Sequence, residues 1–304
     1  RLLMENAGRE ATRVFLAHLG GAARQGVGVI AGRGNNGGDG YVIARCLAQQ
    51  GYPVRVYLLS NAQAVQGDAA ANLKLLAAVG VPVIEVPDEA AFSRCQHDMR
   101  AEAVWVDAVF GIGLRSEVRG LFRDAIEFIN RLNRPVLAVD IPSGLSADTG
   151  QPCGACIRAR ITVTFAYPKV GQVVFPGADY TGRLEVVDIG IPPALADRIR
   201  PRQFLLSAAA VRSYVAPRPA DAHKGRTGHL LVVAGSPGKT GAAAMTAAAA
   251  LRIGAGLVTL GTPASLHAVL ETLTLEAMTA ALPETSRGIL GPNAQAAVLE
   301  LAQA

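Results

Sequence analysis

Five short apolar runs recur through the first half of the chain: Val27 to Ala31, Val54 to Leu59, Val81 to Val86, Val104 to Phe110 and Val136 to Ile141. They are too uniformly apolar to be strands with one wet face, so each needs cover on both sides. The segments between them have helical length: Tyr41 to Gln50, Ala64 to Val79, a shorter one near Asp88 to Arg94, and Leu121 to Leu132. Residues 5 to 19 add a helix in front, with Ala7, Ala11, Val14, Phe15 and Leu19 along one face. This alternation predicts an α/β fold, a largely parallel sheet between two helical layers. Half of the residues are hydrophobic but only 5% aromatic, so the core has to be built from Leu, Val, Ile and Ala. Beyond Pro142 the runs shorten. Ile161 to Phe165, Val173 to Phe175 and Leu184 to Val187 read as strands that extend the same sheet at its edge.

Pro192-Pro193, Pro201 and the proline-rich stretch 216–220 separate this pattern from a second one, which places a domain boundary near 210 and gives domains 1–210 and 211–304. The second domain opens with a strand at Leu230 to Ala234, a Gly/Ser loop and an Ala-rich helix from Gly241 to Ile253. A strand at Leu257 to Gly261 and a helix at Ala264 to Leu273 follow. About 90 residues hold only the opening units of such a sheet, so this domain is expected to be partial. The start at Arg1, already inside a helix, is likewise expected to follow a lost upstream segment.

The formal charge of +5 comes from scattered arginines, without the basic stripe and interleaved aromatics of a nucleic-acid surface. No apolar run approaches a membrane span and no signal peptide is visible, so a cytoplasmic protein without nucleic-acid or membrane partners is expected. Cys153 and Cys156 have C-x-x-C spacing, which suits a redox pair or half of a metal site. No second close pair accompanies them, and loop cysteines in a reducing compartment are the plainer reading.

Candidate chemistry gathers at four segments: Gly32 to Gly40, Asp107 to Leu114, Asp140 to Gly144, and Tyr167-Pro168-Lys169. The first holds five glycines in nine residues and follows a strand, where open α/β sheets bind phosphates and nucleotides. Its Gly32-x-Gly34-x-x-Gly37 spacing is not followed by a ribose-binding acid at the usual distance, so ordinary dinucleotide redox chemistry is not indicated. Asp107 and Asp140 each close an apolar run, where a buried carboxylate needs a cation, a partner or a proton. A strand-end aspartate also serves as a helix cap or turn acid, and Lys169 behind a proline reads on its own as structural or solvent-exposed. Asn36, Asp107 and Ser143 offer hard oxygens to a cation, and Asp140 offers an acid or base with Lys169 beside it. No Ser-His-acid order and no H-E-x-x-H motif is present.

Residues 1 to about 200 resemble the NAD(P)H-hydrate epimerase domain. The resemblance is carried, in order, by Met4-Glu5-Asn6-Ala7-Gly8, Asn35-Asn36-Gly37-Gly38-Asp39-Gly40, Asp107 to Leu114 and Val139-Asp140-Ile141-Pro142-Ser143-Gly144. It implies a Rossmann-like three-layer domain that interconverts the R and S epimers of hydrated NADH or NADPH at C6 of the nicotinamide ring. Carried over, Asn35, Asn36, Gly37, Gly38 and Asp39, together with Gly111, Ile112, Gly113, Leu114, Arg115, Ser116 and Glu117, contact the hydrated dinucleotide, as does Asp140. Asn36, Asp107 and Ser143 bind potassium. Asp140 is the catalytic acid or base, seconded by Lys169.

The second domain carries Gly238-Lys239-Thr240, but Val233 stands where a Walker A loop needs its first glycine. From Val232 to Gly241 and from Leu251 to Pro263 it is similar to the ADP- or ATP-dependent NAD(P)H-hydrate dehydratase domain, of ribokinase-like fold. That similarity implies a bifunctional repair enzyme that uses ADP or ATP with magnesium, places Ala243 and Gly256 along the hydrated cofactor, and suggests a homo-oligomer. The family's later phosphate-binding segment and its C-terminal Gly-x-Gly-Asp motif are absent, so no dehydratase activity is expected of these 304 residues alone. The rival classes are a vitamin or sugar kinase-like enzyme and a non-catalytic nucleotide-binding scaffold.

Overall fold

The structure, a computed structural model, describes residues 1–215, 217 and 219–303. Ala216 and Arg218, in the proline-rich stretch read as a linker, lie outside the described residues. The chain forms two compact units, Arg1–Arg202 and Gln203–Ala304.

The first unit begins with α1 (Leu2–Ala23), β1 (Val27–Ala31), α2 (Asn35–Gln49), β2 (Val54–Leu58), α3 (Gly67–Ala78) and β3 (Val83–Glu85). It continues through α4 (Glu89–Ala101), β4 (Val104–Ala108), α5 (Gly120–Arg131), β5 (Val136–Val139) and β6 (Ile161–Phe165). Two short helices, α6 (Val170–Val173) and α7 (Gly177–Thr181), precede β7 (Arg183–Val187) and α8 (Pro193–Ile199). The strands form one parallel sheet in the order β3-β2-β1-β4-β5-β6-β7.

Strand residues alternate between two apolar layers, as a period of two requires. Val27, Val29 and Ala31, Val104, Val106 and Ala108, and Leu137 and Val139 pack with α1, α2 and α3 on one face. Ile30, Tyr57, Trp105, Val109, Val136 and Ala138 pack with α4 and α5 on the other. The sheet is therefore sandwiched, and its near-uniform apolar runs follow from burial on both sides.

Two local expectations are corrected. The glycine-rich segment is not a free loop before a helix at Tyr41. From Asn35 onward it is the first turns of α2, with Gly34 extended at the N-cap and the Tyr41 hydroxyl donating to the Gly32 carbonyl (2.9 Å). Val173 to Phe175 is not a strand either. The Lys169 amide donates to Gln172 Oε1 (2.8 Å), and this side-chain cap starts helix α6 through Val173.

In the second unit, α9 (Ala208–Arg212) precedes β8 (His229–Val233), α10 (Thr240–Ile253), β9 (Leu257–Pro263), α11 (His267–Leu273), β10 (Met278–Leu282) and α12 (Gln295–Gln303). Its three strands are parallel in the order β10-β9-β8. Val232, Ala243, Ala247, Ala250, Val258, Leu260 and Leu270 form its core. Among the described residues no helix is long and apolar enough to cross a membrane.

Candidate active site

In the first unit the strand order reverses its growth between β1 and β4, the switch point at which open α/β sheets leave a crevice beyond their carboxyl ends. A cleft of about 900 Å³ lies there. Its walls come from Gly32 to Asn36 and Asp39, from Leu59 and Ser60 after β2, from Val109 to Ser116 after β4, from Phe122 on α5, and from Asp140 after β5. α2 packs against β4 and reaches β5. Gly40 makes the approach possible, because a Cβ there would stand 2.5 Å from the Ala108 Cβ.

Asp140 takes its place through an unusual backbone. Its φ of +64° stops β5, and the amide of Ile141 turns back to donate to the Val139 carbonyl (2.8 Å). Side chains other than glycine rarely adopt this conformation, which costs of order 1 kcal/mol or more and persists where surrounding contacts hold it. The contacts are present. Gln172 Nε2 donates to the Asp140 carbonyl (2.6 Å), and the Asp140 amide donates to Val163 O (2.8 Å). Asp140 Oδ1 accepts from Lys169 Nζ (2.6 Å), Thr164 Oγ1 (3.2 Å) and the Phe165 amide (3.4 Å). Oδ2 has no hydrogen-bond partner among the described residues, and Asp140 lines the cleft. Lys169 is tied down as firmly, since Nζ also donates to Thr164 Oγ1 (2.7 Å) and the Phe165 carbonyl (3.2 Å). Both side chains of the ion pair are largely buried, so Lys169 is not the solvent-exposed cation it resembles in isolation.

Asp107 lies beneath the cleft, fully buried in β4. Its Oδ1 accepts from Ser143 Oγ (2.6 Å) and the Val109 amide (3.3 Å), and its Oδ2 accepts from the Ser143 amide (2.7 Å). Burial pushes its carboxyl up to about 6 while the Ser143 bonds hold it down, so it is largely ionised at neutral pH. No Lys, Arg or His pairs with it among the described residues. In the cleft wall, the buried Asn36 carboxamide has an Nδ2 with no partner among the described residues. Turning that amide about its last bond puts an oxygen acceptor in the same place. A buried carboxylate, an orphaned amide and a serine hydroxyl are oxygen donors of low charge, a chemistry that suits a hard monovalent cation better than a transition metal. Among the described residues no three His, Cys, Asp or Glu side chains gather as a metal cluster.

The other expected contacts divide. Asn35, Asn36, Asp39, Gly111, Ile112, Gly113, Leu114, Arg115, Ser116 and Asp140 line the cleft. Gly37 and Gly38 are buried elsewhere, Gly37 against the Gly32 carbonyl and Gly38 against Met4 and Ala69. Glu117 is bound instead to the guanidinium of Arg119 (2.6 Å). In the second unit Ala243 belongs to the apolar core, and Gly256 is pressed against the turn from Lys224 to Thr227. Cys153 and Cys156 are free thiols, and burial raises Cys156 far above an ordinary thiol. Sequence reasoning missed Thr164, Gln172, Phe122, Leu59 and Ser60. Of these only Gln172 left a trace, three residues after Lys169 at the spacing of a capping box.

Sheet order, sandwich layers and cleft define the first unit as a Rossmann-like α/β protein with a switch-point site. Residues 1–171 match the family model described as YjeF-related protein N-terminus, and residues 230–301 match NAD(P)H-hydrate dehydratase. The chain belongs to the YjeF-related family, which includes the NAD(P)H-hydrate epimerases and the bifunctional repair enzymes. A bifunctional NAD(P)H-hydrate repair enzyme Nnr from Moorella thermoacetica is 44% identical over 300 residues, covering 98% of this chain and 57% of its own length. An NAD(P)H-hydrate epimerase from Pirellula staleyi is 39% identical over 199 residues, covering 65% of this chain and 86% of its own length. The chain spans about half the length of the bifunctional relatives it matches. The crystal structure of yeast ynu0 shares the fold, with a TM-score of 0.55 at 24% identity over 69% of this chain and 88% of that one.

Proposed function

We propose that the first unit interconverts the R and S epimers of hydrated NADH or NADPH at C6 of the nicotinamide ring. The observation that carries this reading is the Asp140 carboxylate, which lines the cleft: one oxygen is anchored by Lys169, Thr164 and the Phe165 amide, and the other has no hydrogen-bond partner among the described residues. C6 bears the hydroxyl and adjoins the ring nitrogen, so loss and return of water passes through an iminium-like cation. An anchored carboxylate both stabilises that cation and moves the proton that the step requires. The long cleft takes a dinucleotide, with the backbone amides at the start of α2 placed for phosphate. Asn36, Asp107 and Ser143 would hold potassium, whose charge would offset the buried Asp107 and fix the segments from β4 and β5.

We further propose that this activity is paired with dehydration of the S epimer by an ADP- or ATP-dependent domain to which the second unit belongs, using magnesium. The names of the bifunctional relatives support that pairing. The test of the first activity is chromatographic separation of the two hydrates of NADH. An excess of one epimer should relax to the equilibrium mixture far faster with the purified chain than without it; an unchanged rate contradicts the proposal.

A further inference from the structure

A second carboxyl shares the cleft with Asp140. Asp39 lies on the second turn of α2, which Gly40 allows to settle against Ala108 and so to reach over β4 toward the end of β5. Its side chain lines the same cavity as Asp140, and no hydrogen bond or ion pair holds it among the described residues. The two acids have opposite surroundings. Asp140 is locked to an ammonium, whereas Asp39 has only partly buried, unpaired space around it.

We infer that Asp39 is the proton donor of the site, working with the Asp140 carboxylate as a pair that shares one proton. The inference rests on the epimerase reading above and assigns it a second acid–base group. In the forward step the Asp39 O–H proton passes to the C6 hydroxyl oxygen as the C6–O bond breaks. That bond's electron pair leaves with the oxygen as water, and the N1 lone pair forms the C6–N1 double bond. In the return step water adds to the opposite face of C6, N1 recovers its lone pair, and the proton released by that water is taken by Asp140. Transfer of this proton from Asp140 back to Asp39 restores the starting pair, and nothing is oxidised or reduced.

The electrostatics agree with this division of labour. Burial first, and the neighbouring Asp140 charge second, raise the Asp39 carboxyl from 3.8 to about 8, so it carries its proton at neutral pH. Around α2 lie Glu5 with its partner Arg45, Arg9 from α1, Asp68 from α3 and Asp107 from β4. Arg33 and Arg115 line the cleft, and Lys169 stands behind Asp140. Among the described residues Asp140 is the charged group that acts on Asp39. A carboxyl that keeps its proton beside a carboxylate held in an ion pair gives the site one acid and one base.

The experiment is the pH–rate profile of R/S interconversion for the wild-type chain, Asp39→Asn and Asp39→Glu, with folding of each checked by thermal unfolding and affinity by NADH binding. The wild-type rate should fall as pH rises through about 8. Asp39→Asn should lower kcat by about 10²- to 10⁴-fold and lose that fall, and Asp39→Glu should restore both rate and fall in part. Wild-type interconversion together with an Asp39→Asn chain of equal rate and unchanged alkaline limb overturns the inference and leaves the epimerase reading standing. A folded wild-type chain that does not interconvert the epimers overturns both.

Discussion

Gly40→Ala isolates the contact that joins the two halves of the site. α2 carries Asn36 and Asp39, β4 carries Asp107, and the two elements meet where Gly40 faces Ala108. An alanine Cβ at 40 would stand 2.5 Å from the Ala108 Cβ, where ordinary contact begins at 3.4 Å, and 3.4 Å from Val29 Cγ1. Neither Ala108 nor an alanine at 40 has a rotamer to turn away, so helix and strand must part by about 1 Å. Two effects compete. Alanine favours the helix over glycine by about 1 kcal/mol, and over-packing a buried contact costs about 1 to 3 kcal/mol. The second wins because the clash involves backbone-attached carbons on both sides. The expected net loss is about 1 kcal/mol of stability, read by urea unfolding. Interconversion should slow by about 100-fold, because a shift of 1 Å misaligns groups on opposite walls. Gly21→Ala is the control: Gly21 lies in α1, exposed, with nothing within 4 Å of its added Cβ, and this change should stabilise the chain without altering the rate. A Gly40→Ala chain that gains stability as Gly21→Ala does, with an unchanged rate, would refute the packing account.

Three further outcomes are expected. Ser143→Ala removes one donor to Asp107 and strips the Phe110 amide of its acceptor, so it should cost about 1 to 3 kcal/mol in urea unfolding. Lys169→Met leaves Asp140 without its ammonium and should lower kcat about 10²-fold or more with a smaller change in KM, read by steady-state assay. Because the folded carboxyl of Asp107 is raised from 3.8 to about 6, the folded chain binds more protons than the unfolded one between these values. This group's contribution to stability therefore falls as pH rises through that window. Titrating potassium against a fixed sodium background should recover the lost stability above pH 6, seen as a rise in Tm; a Tm indifferent to potassium contradicts the assigned cation site.

The sheet was legible because burial on both faces leaves an unmistakable trace, a run such as Val104-Trp105-Val106 without polar relief. The same trace exposed Asp107 and Asp140, each a carboxylate closing an apolar strand. What could not be read depended on contacts distant in sequence. Asn35 to Gly40 has poor helical propensity, yet it is helical because Tyr41 and Gly32 fasten its start and Gly40 lets it sink onto β4. Val173 to Phe175 looks like a strand, but Gln172 bonds both the Lys169 amide and the Asp140 carbonyl and bends the chain into α6. The state of Asp39 was likewise hidden, since its proton is set by burial and by Asp140, about a hundred residues away.

In the proposed reaction Asp140, anchored by Lys169 at the switch-point cleft, carries proton transfer at C6 of a hydrated nicotinamide. Its most direct test follows the separated R and S hydrates of NADH over time with the wild-type chain and with Asp140→Asn, each shown to be folded, in potassium and with potassium replaced by lithium. The account predicts rapid interconversion by the wild type in potassium, a slower rate in lithium, and loss of about 10²- to 10⁴-fold in Asp140→Asn under either ion. Equal rates in all of these would contradict it.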